Sequence, residues 1–114
     1  MPYFCLETNK QIDETVHQTL LKEISVFISK LTGKPESLVM VQIRSNLPLI
    51  FGGSSDRAAF VQLKSIGLAE DRCSEFSKKI CDFVEQELRI PKNRVFIEFK
   101  DLQPNLFGWD GKTF

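Results

Sequence analysis

The 114-residue chain has no surplus of either charge, since 15 Lys plus Arg stand against 15 Asp plus Glu. A protein that holds nucleic acid through phosphate contacts needs a basic surplus or a basic patch. The longest basic runs here are pairs such as Lys78-Lys79. No apolar run approaches the ~18 residues of a membrane helix, and no charged-then-apolar leader opens the sequence. These absences predict a cytoplasmic protein that engages neither nucleic acid nor membrane, with any export taking a leaderless route. Cysteine is scarce: Cys5, Cys73 and Cys81 make no disulfide framework. Cys73 and Cys81 sit eight apart on one predicted helix, roughly 12 Å from each other. Paired Cα atoms lie within about 7 Å. No C-x-x-C is present, which argues against a thioredoxin-like redox site or a zinc knuckle; the three thiols read as small buried or half-buried groups. The only histidine, His17, reads as a helix-face residue, and no G-x-S-x-G motif supports a nucleophilic triad. Gly52-Gly53-Ser54-Ser55 lacks the Lys and the spacing of a phosphate loop and reads as a turn. No metal, nucleotide or flavin site emerges, so no cofactor is expected.

What the chain does have is an internal repeat at an offset of 56 residues. Pro35 aligns with Pro91, Val39 with Val95, Val41 with Ile97 and Ile43 with Phe99. Without a gap, Leu20, Ile24, Phe27 and Ile28 align with Phe76, Ile80, Phe83 and Val84. Two units are too few for a solenoid and suggest a duplicated element with a pseudo-twofold. The length is room for one domain, spanning 1–114 with pseudo-repeats of about 1–50 and 57–105.

Each unit reads strand, helix, strand. Pro2 to Thr8 is an extended segment. Asp13 is a candidate N-cap for a helix carrying Val16, Leu20, Ile24, Phe27, Ile28 and Leu31 at helical spacing. Gly33 is its stop and Pro35 follows. Leu38 to Arg44, Ala58 to Ile66 and Arg94 to Lys100 read as further strands, and Asp71 or Ser74 as the start of the second helix. One strand face is wholly apolar, with Val39, Val41, Ile43, Val95, Ile97 and Phe99, and the other is mixed. The expected fold class is therefore α+β in two layers, a duplicated β-α-β with both helices on one face of a mixed four-stranded sheet. A crossover of this length favours parallel strands within each half. The mixed face could meet water or other subunits, and the aromatic tail (Phe107, Trp109, Phe114), with no helix of its own, points to pairing with a neighbour.

Residue 2 is proline. Removal of Met1 would leave a secondary amine at the chain end, where the reference pKa is about 7.7–8.0. Desolvation lowers that value, and a neutral secondary amine is a competent general base or nucleophile. Tyr3, Phe4, Ile66, Phe107, Trp109 and Phe114 are candidates for an apolar surround. Lys34 is a candidate cation for a substrate carboxylate, and it would depress the amine's pKa further.

The sequence resembles the macrophage migration inhibitory factor family of the tautomerase superfamily. The matching pieces are Met1-Pro2, Thr8-Asn9, Thr32-Gly33-Lys34-Pro35, Phe51-Gly52-Gly53-Ser54-Ser55, Ser65-Ile66-Gly67, Arg94-Val95, and Gly108-Trp109 with Thr113-Phe114. They occur in family order along the whole chain. The resemblance implies a homotrimer with active sites between subunits and a cofactor-free keto–enol tautomerase of phenylpyruvate-like or dopachrome-like compounds. Pro2 would be the general base, and Lys34 with the backbone of Ile66 would hold the carboxylate or enolate of a small aromatic keto acid. Phe107, Trp109 and Phe114 would line the pocket, and a neighbouring subunit would supply Phe96 and Glu98. The alternative implied is a leaderless cytokine-like or host-modulating protein acting on a cell-surface receptor. Phe96 and Glu98 stand where the family's best-known members carry Tyr and Asn. Leu38 stands where a pocket Tyr is common and Lys64 where some members have His, which predicts a greasier wall on one side of the pocket and altered charge on another. The C-A-L-C thiol motif of the family is replaced by Arg57-Ala58-Ala59-Phe60-Val61, which disfavours thiol-disulfide chemistry.

Overall fold

A computed structural model describes residues 1–114. Strand β1 (Tyr3–Thr8), helix α1 (Glu14–Thr32) and strand β2 (Met40–Arg44) form one β-α-β unit. Strand β3 (Ala59–Ile66), helix α2 (Cys73–Leu88) and strand β4 (Val95–Leu102) form the other. The sheet order is β2-β1-β3-β4. The outer pairs are parallel and the central β1–β3 pair is antiparallel, so the units join through their first strands. This is the expected α+β arrangement of a mixed four-stranded sheet and two helices.

Alternation along the strands decides which face is buried. Phe4 and Leu6 of β1 and Val61 and Leu63 of β3 point into the core. There they meet Leu20, Ile24, Ile28 and Leu31 of α1 and Phe76, Ile80, Val84 and Leu88 of α2. The repeat is visible as a contact: the matched residues Phe27 and Phe83 stack on one another with centroids 4.5 Å apart. Both helices therefore lie on one face and leave the other uncovered.

Several boundaries differ from the sequence reading. Leu38 is not in a strand; Glu36–Leu38 is a single 3-10 turn after Pro35, and β2 starts at Met40. The repeat carries the same turn, Lys92–Arg94, after Pro91. Neither Asp71 nor Ser74 caps α2: a 3-10 turn at Glu70–Arg72 runs straight into Cys73, with no side-chain cap. Asp13 does cap α1, accepting from the Thr15 N–H, and Gly33 closes it in the left-handed region at φ 71°. The tail pairs with itself, as strands β5 (Gly108–Trp109) and β6 (Lys112–Thr113) form a small hairpin. All three cysteines are free, Cys5 buried and the other two half-buried. His17 lies on α1 with Nε2 3.2 Å from Ser45 Oγ. No helix is long and apolar enough to cross a membrane.

The link between the units has no regular structure of its own, yet it is tied down from both sides. The Asn9 amide donates to the carbonyls of Leu49, Ser55 and Asp56, and its oxygen accepts from the Ala58 N–H. The Arg94 guanidinium donates to the carbonyls of Phe51, Ser54, Asp56 and Arg57. Gly52 and Gly53 turn this link at φ 62° and 76°, values that disfavour a side chain.

Candidate functional site

The site lies where β1 begins. Pro2 is buried, and its carbonyl accepts from the Met40 N–H at 3.0 Å, which fixes the chain start beside β2. Around it opens a cavity of about 400 Å³ lined by Met1, Pro2, Tyr3, Leu38, Met40, Lys64, Lys100, Leu102 and Phe107. That volume lies in the range of small-molecule sites.

Strand register explains the lining. Tyr3 lies opposite Met40 on one side and Lys64 on the other, and Lys64 lies opposite Lys100. These four residues form one row across the uncovered face. Leu38 comes from the turn before β2, Leu102 ends β4, and Phe107 follows the next turn.

Lys34 is delivered by the end of α1. After the Gly33 reversal its carbonyl accepts from Ser29 Oγ at 2.6 Å, and the Thr32 hydroxyl bonds back to the Ile28 carbonyl. The ammonium reaches to 3.9 Å from the position a Cβ on Gly67 would occupy. Gly67, at φ 72°, follows Ile66 in a turn held by Asp101, whose carboxylate accepts from the N–H groups of Gly67 and Leu68 at 3.0 and 3.1 Å. Lys34 and the backbone after β3 thus converge on the chain start.

The electrostatics follow from this geometry. The chain-terminal amine, on Met1, is held below the ordinary range for such a group, first by burial and second by the Lys34 charge. Without Met1 the chain-terminal amine would sit on Pro2, which is buried.

Of the residues singled out in the sequence, Pro2, Tyr3, Leu38, Lys64 and Phe107 line one cavity, and Lys34 and Ile66 stand near it. Trp109 and Phe114 do not reach the cavity within this chain. They cluster in the tail, Phe114 lying 5.8 Å from Trp109 and 6.0 Å from Phe107 by ring centroids. Phe96 and Glu98 lie elsewhere on the uncovered face. Phe96 pairs with Phe60 in register, four residues along β3 from Lys64, or about 13 Å at strand rise. Its ring packs against Phe51 with centroids 4.6 Å apart and planes tilted by 36°. Sequence reasoning missed Met40, Lys100 and Leu102, and their signal was strand order: once Tyr3 and Lys64 are paired, the same row contains Met40 and Lys100. No three His, Cys, Asp or Glu side chains converge as metal ligands would.

A second cavity, of about 450 Å³, lies at the far end of the sheet. It is lined by Leu49, Ile50, Phe51, Phe60 and Phe96 among others, with Ile50 70% and Phe96 62% exposed.

Comparison with known proteins supports a common reading of the whole chain. The family profile for macrophage migration inhibitory factor (MIF) matches residues 1–114. The chain is 37% identical to the macrophage migration inhibitory factor of Xenopus tropicalis, over all of this chain and 99% of that protein. Its fold is similar to that of the homologue from Prochlorococcus marinus, with TM-score 0.90 and 34% identity over 98% of each chain. The Trichinella spiralis structure is as similar, with TM-score 0.90 and 39% identity over 98% of this chain and 99% of that one. The chain belongs to the macrophage migration inhibitory factor family.

Proposed function

We propose that the protein is a cofactor-free keto–enol tautomerase of phenylpyruvate-like or dopachrome-like compounds, with Pro2 as general base once Met1 is removed. The observation that carries this reading is the buried Pro2 at the wall of a largely apolar cavity, at a chain end whose amine is depressed in pKa by burial and by Lys34. A neutral secondary amine takes the proton from the carbon next to the substrate carbonyl. The electron pair moves into an enolate, whose oxygen is then protonated. Lys34 and the backbone at Ile66 hold the carboxylate or enolate and offset the developing charge. The reaction is an isomerisation, so no electrons leave the substrate.

The reading includes a homotrimer. Both β2 and β4 are open sheet edges, which folded proteins cover or blunt. The apolar patch around Ile50, Phe51 and Phe96 is a surface of the kind that marks protein contacts. Phe96 is too far along the sheet to serve its own Pro2, and in a trimer Phe96 and Glu98 would reach a neighbour's. Glu98 near the amine would favour its charged form and raise its pKa, opposite in sign to Lys34.

The test is the ultraviolet rate of phenylpyruvate keto–enol conversion by protein shown by mass to lack Met1. Pro2→Gly should lower the rate by ~10²–10⁴-fold, the usual contribution of general acid–base catalysis. Glu98→Asn should move the pH–rate midpoint downward, and an unchanged midpoint would remove Glu98 from the site. No rate above buffer from a trimer with free Pro2 would favour the second reading, a cytokine-like protein that presents this face to a receptor. That alternative draws on the family relatives' names, which describe inhibition of macrophage migration.

A further inference from the structure

Two lysines line one wall of the Pro2 cavity. Lys64 and Lys100 lie directly opposite each other on β3 and β4, and both line the cavity. Residues in register on neighbouring strands start about 5 Å apart, and like charges at such separations repel. Within one chain no counter-ion relieves this: its ion pairs are Arg44–Glu7, Arg72–Glu75, Lys78–Asp82, Lys79–Glu75 and Lys92–Asp82, and none involves either lysine. Two carboxylates stand closest in sequence. Glu98, two residues back on the same face of β4, forms no ion pair. Asp101 is committed to the N–H groups of Gly67 and Leu68. The rest of the lining that this chain supplies is mostly apolar, so the pair is the main fixed charge it places on that wall. Lys34 approaches the chain start separately, beside Gly67.

We infer that the Lys64–Lys100 pair is a second anion-binding subsite, so that the cavity prefers ligands carrying two anionic groups, one held by Lys34 and one, at the far end, by the pair. The inference rests on the reading of this cavity as a substrate site. It adds a substrate class: aromatic keto acids with a second carboxylate, in place of those ending in a neutral or bare ring.

The test is binding, measured by calorimetry on the Met1-free protein in low salt, with two ligands that cannot tautomerise. Cinnamate carries one carboxylate, and 4-carboxycinnamate carries another at the far end of the ring. The dianion should bind roughly tenfold tighter, as two partly exposed ion pairs allow. Lys64→Gln/Lys100→Gln should bring the ratio below about twofold, whereas Lys64→Arg/Lys100→Arg, which keeps the charge, should preserve it. Equal affinities in the unsubstituted protein, or a preference that survives the double Gln variant, would overturn the subsite, as would failure of both compounds to bind. A dianion preference that responds to these variants in a protein without phenylpyruvate turnover would uphold the subsite and remove the tautomerase reading alone.

Discussion

Lys34 leaves the first helix at the point where Ile90 leaves the second, 56 residues on. Lys34 is half-buried beside the chain start, and Ile90 is fully buried in the core. One residue earlier, Gly33 turns the chain at φ 71°, whereas Arg89 makes the same left-handed turn at φ 58° despite its side chain. Pro2, at the mouth of the cavity, matches Ala58, a buried residue whose carbonyl merely accepts from Thr8 Oγ1. The two units thus keep the same apolar positions and the same turns after Pro35 and Pro91, while the groups suited to chemistry at the chain start occur in one unit only. A duplicated scaffold needs both copies to bury a common core, and it can specialise one copy at positions where the other carries packing residues.

The comparison can be tested position by position. Pro2→Gly should remove ~10²–10⁴-fold of the proposed activity, while Ala58→Gly should leave the rate per folded molecule unchanged; equal losses in steady-state assays would mean that the two positions are not specialised. Ile90→Ala should destabilise the fold by about 2–5 kcal/mol in urea unfolding, as core truncations do. Lys34→Ala should leave stability nearly unaltered but raise KM by about tenfold, the scale of one lost charge contact. It should also move the pH–rate profile. A base that acts when neutral gains activity as pH rises through its pKa. The Lys34 charge lowers the pKa of the Met1 amine, and a cation near the proposed Pro2 amine would act in the same direction, so the midpoint should shift upward in the variant. Asp13→Ala, which removes the α1 cap, should cost about 1 kcal/mol. Arg89→Gly should stabilise by less than about 1 kcal/mol, because relief of the left-handed turn is partly cancelled by the looser unfolded chain.

Much of the fold is legible in the residue pattern because burial is periodic. The helix positions Leu20, Ile24 and Ile28 and their matches Phe76, Ile80 and Val84 could be read one after another, and they are the core. The start of α2 could not, because that helix begins without a capping side chain, and Glu70 and Asp71 precede it in a 3-10 turn. Part of the site was legible for a different reason: Pro2 is marked by its place in the chain and Lys34 by its place after a helix stop. Met40, Lys100 and Leu102 carry no local signal. They join Tyr3 and Lys64 only through register between strands far apart in sequence, which one-dimensional periodicity does not encode. The tail hairpin was missed for a related reason, since two-residue strands leave too little alternation to detect.

The strap between the units has a consequence for how the chain reaches its native state. Asn9 belongs to the first unit and Arg94 to the second, yet both fasten the same stretch of backbone, and Thr8 bonds to a carbonyl fifty residues away. Neither unit can settle this segment alone, and the β1–β3 pairing at the centre of the sheet requires both. Unfolding in denaturant should therefore be a single cooperative transition with no half-folded plateau. The closing contacts lie far apart in sequence, so refolding should belong to the milliseconds-to-seconds class of chains rich in distant pairings, and late consolidation of the Asn9–Arg94 strap would show as slow protection of the Ala58 amide in pulse-labelled hydrogen exchange.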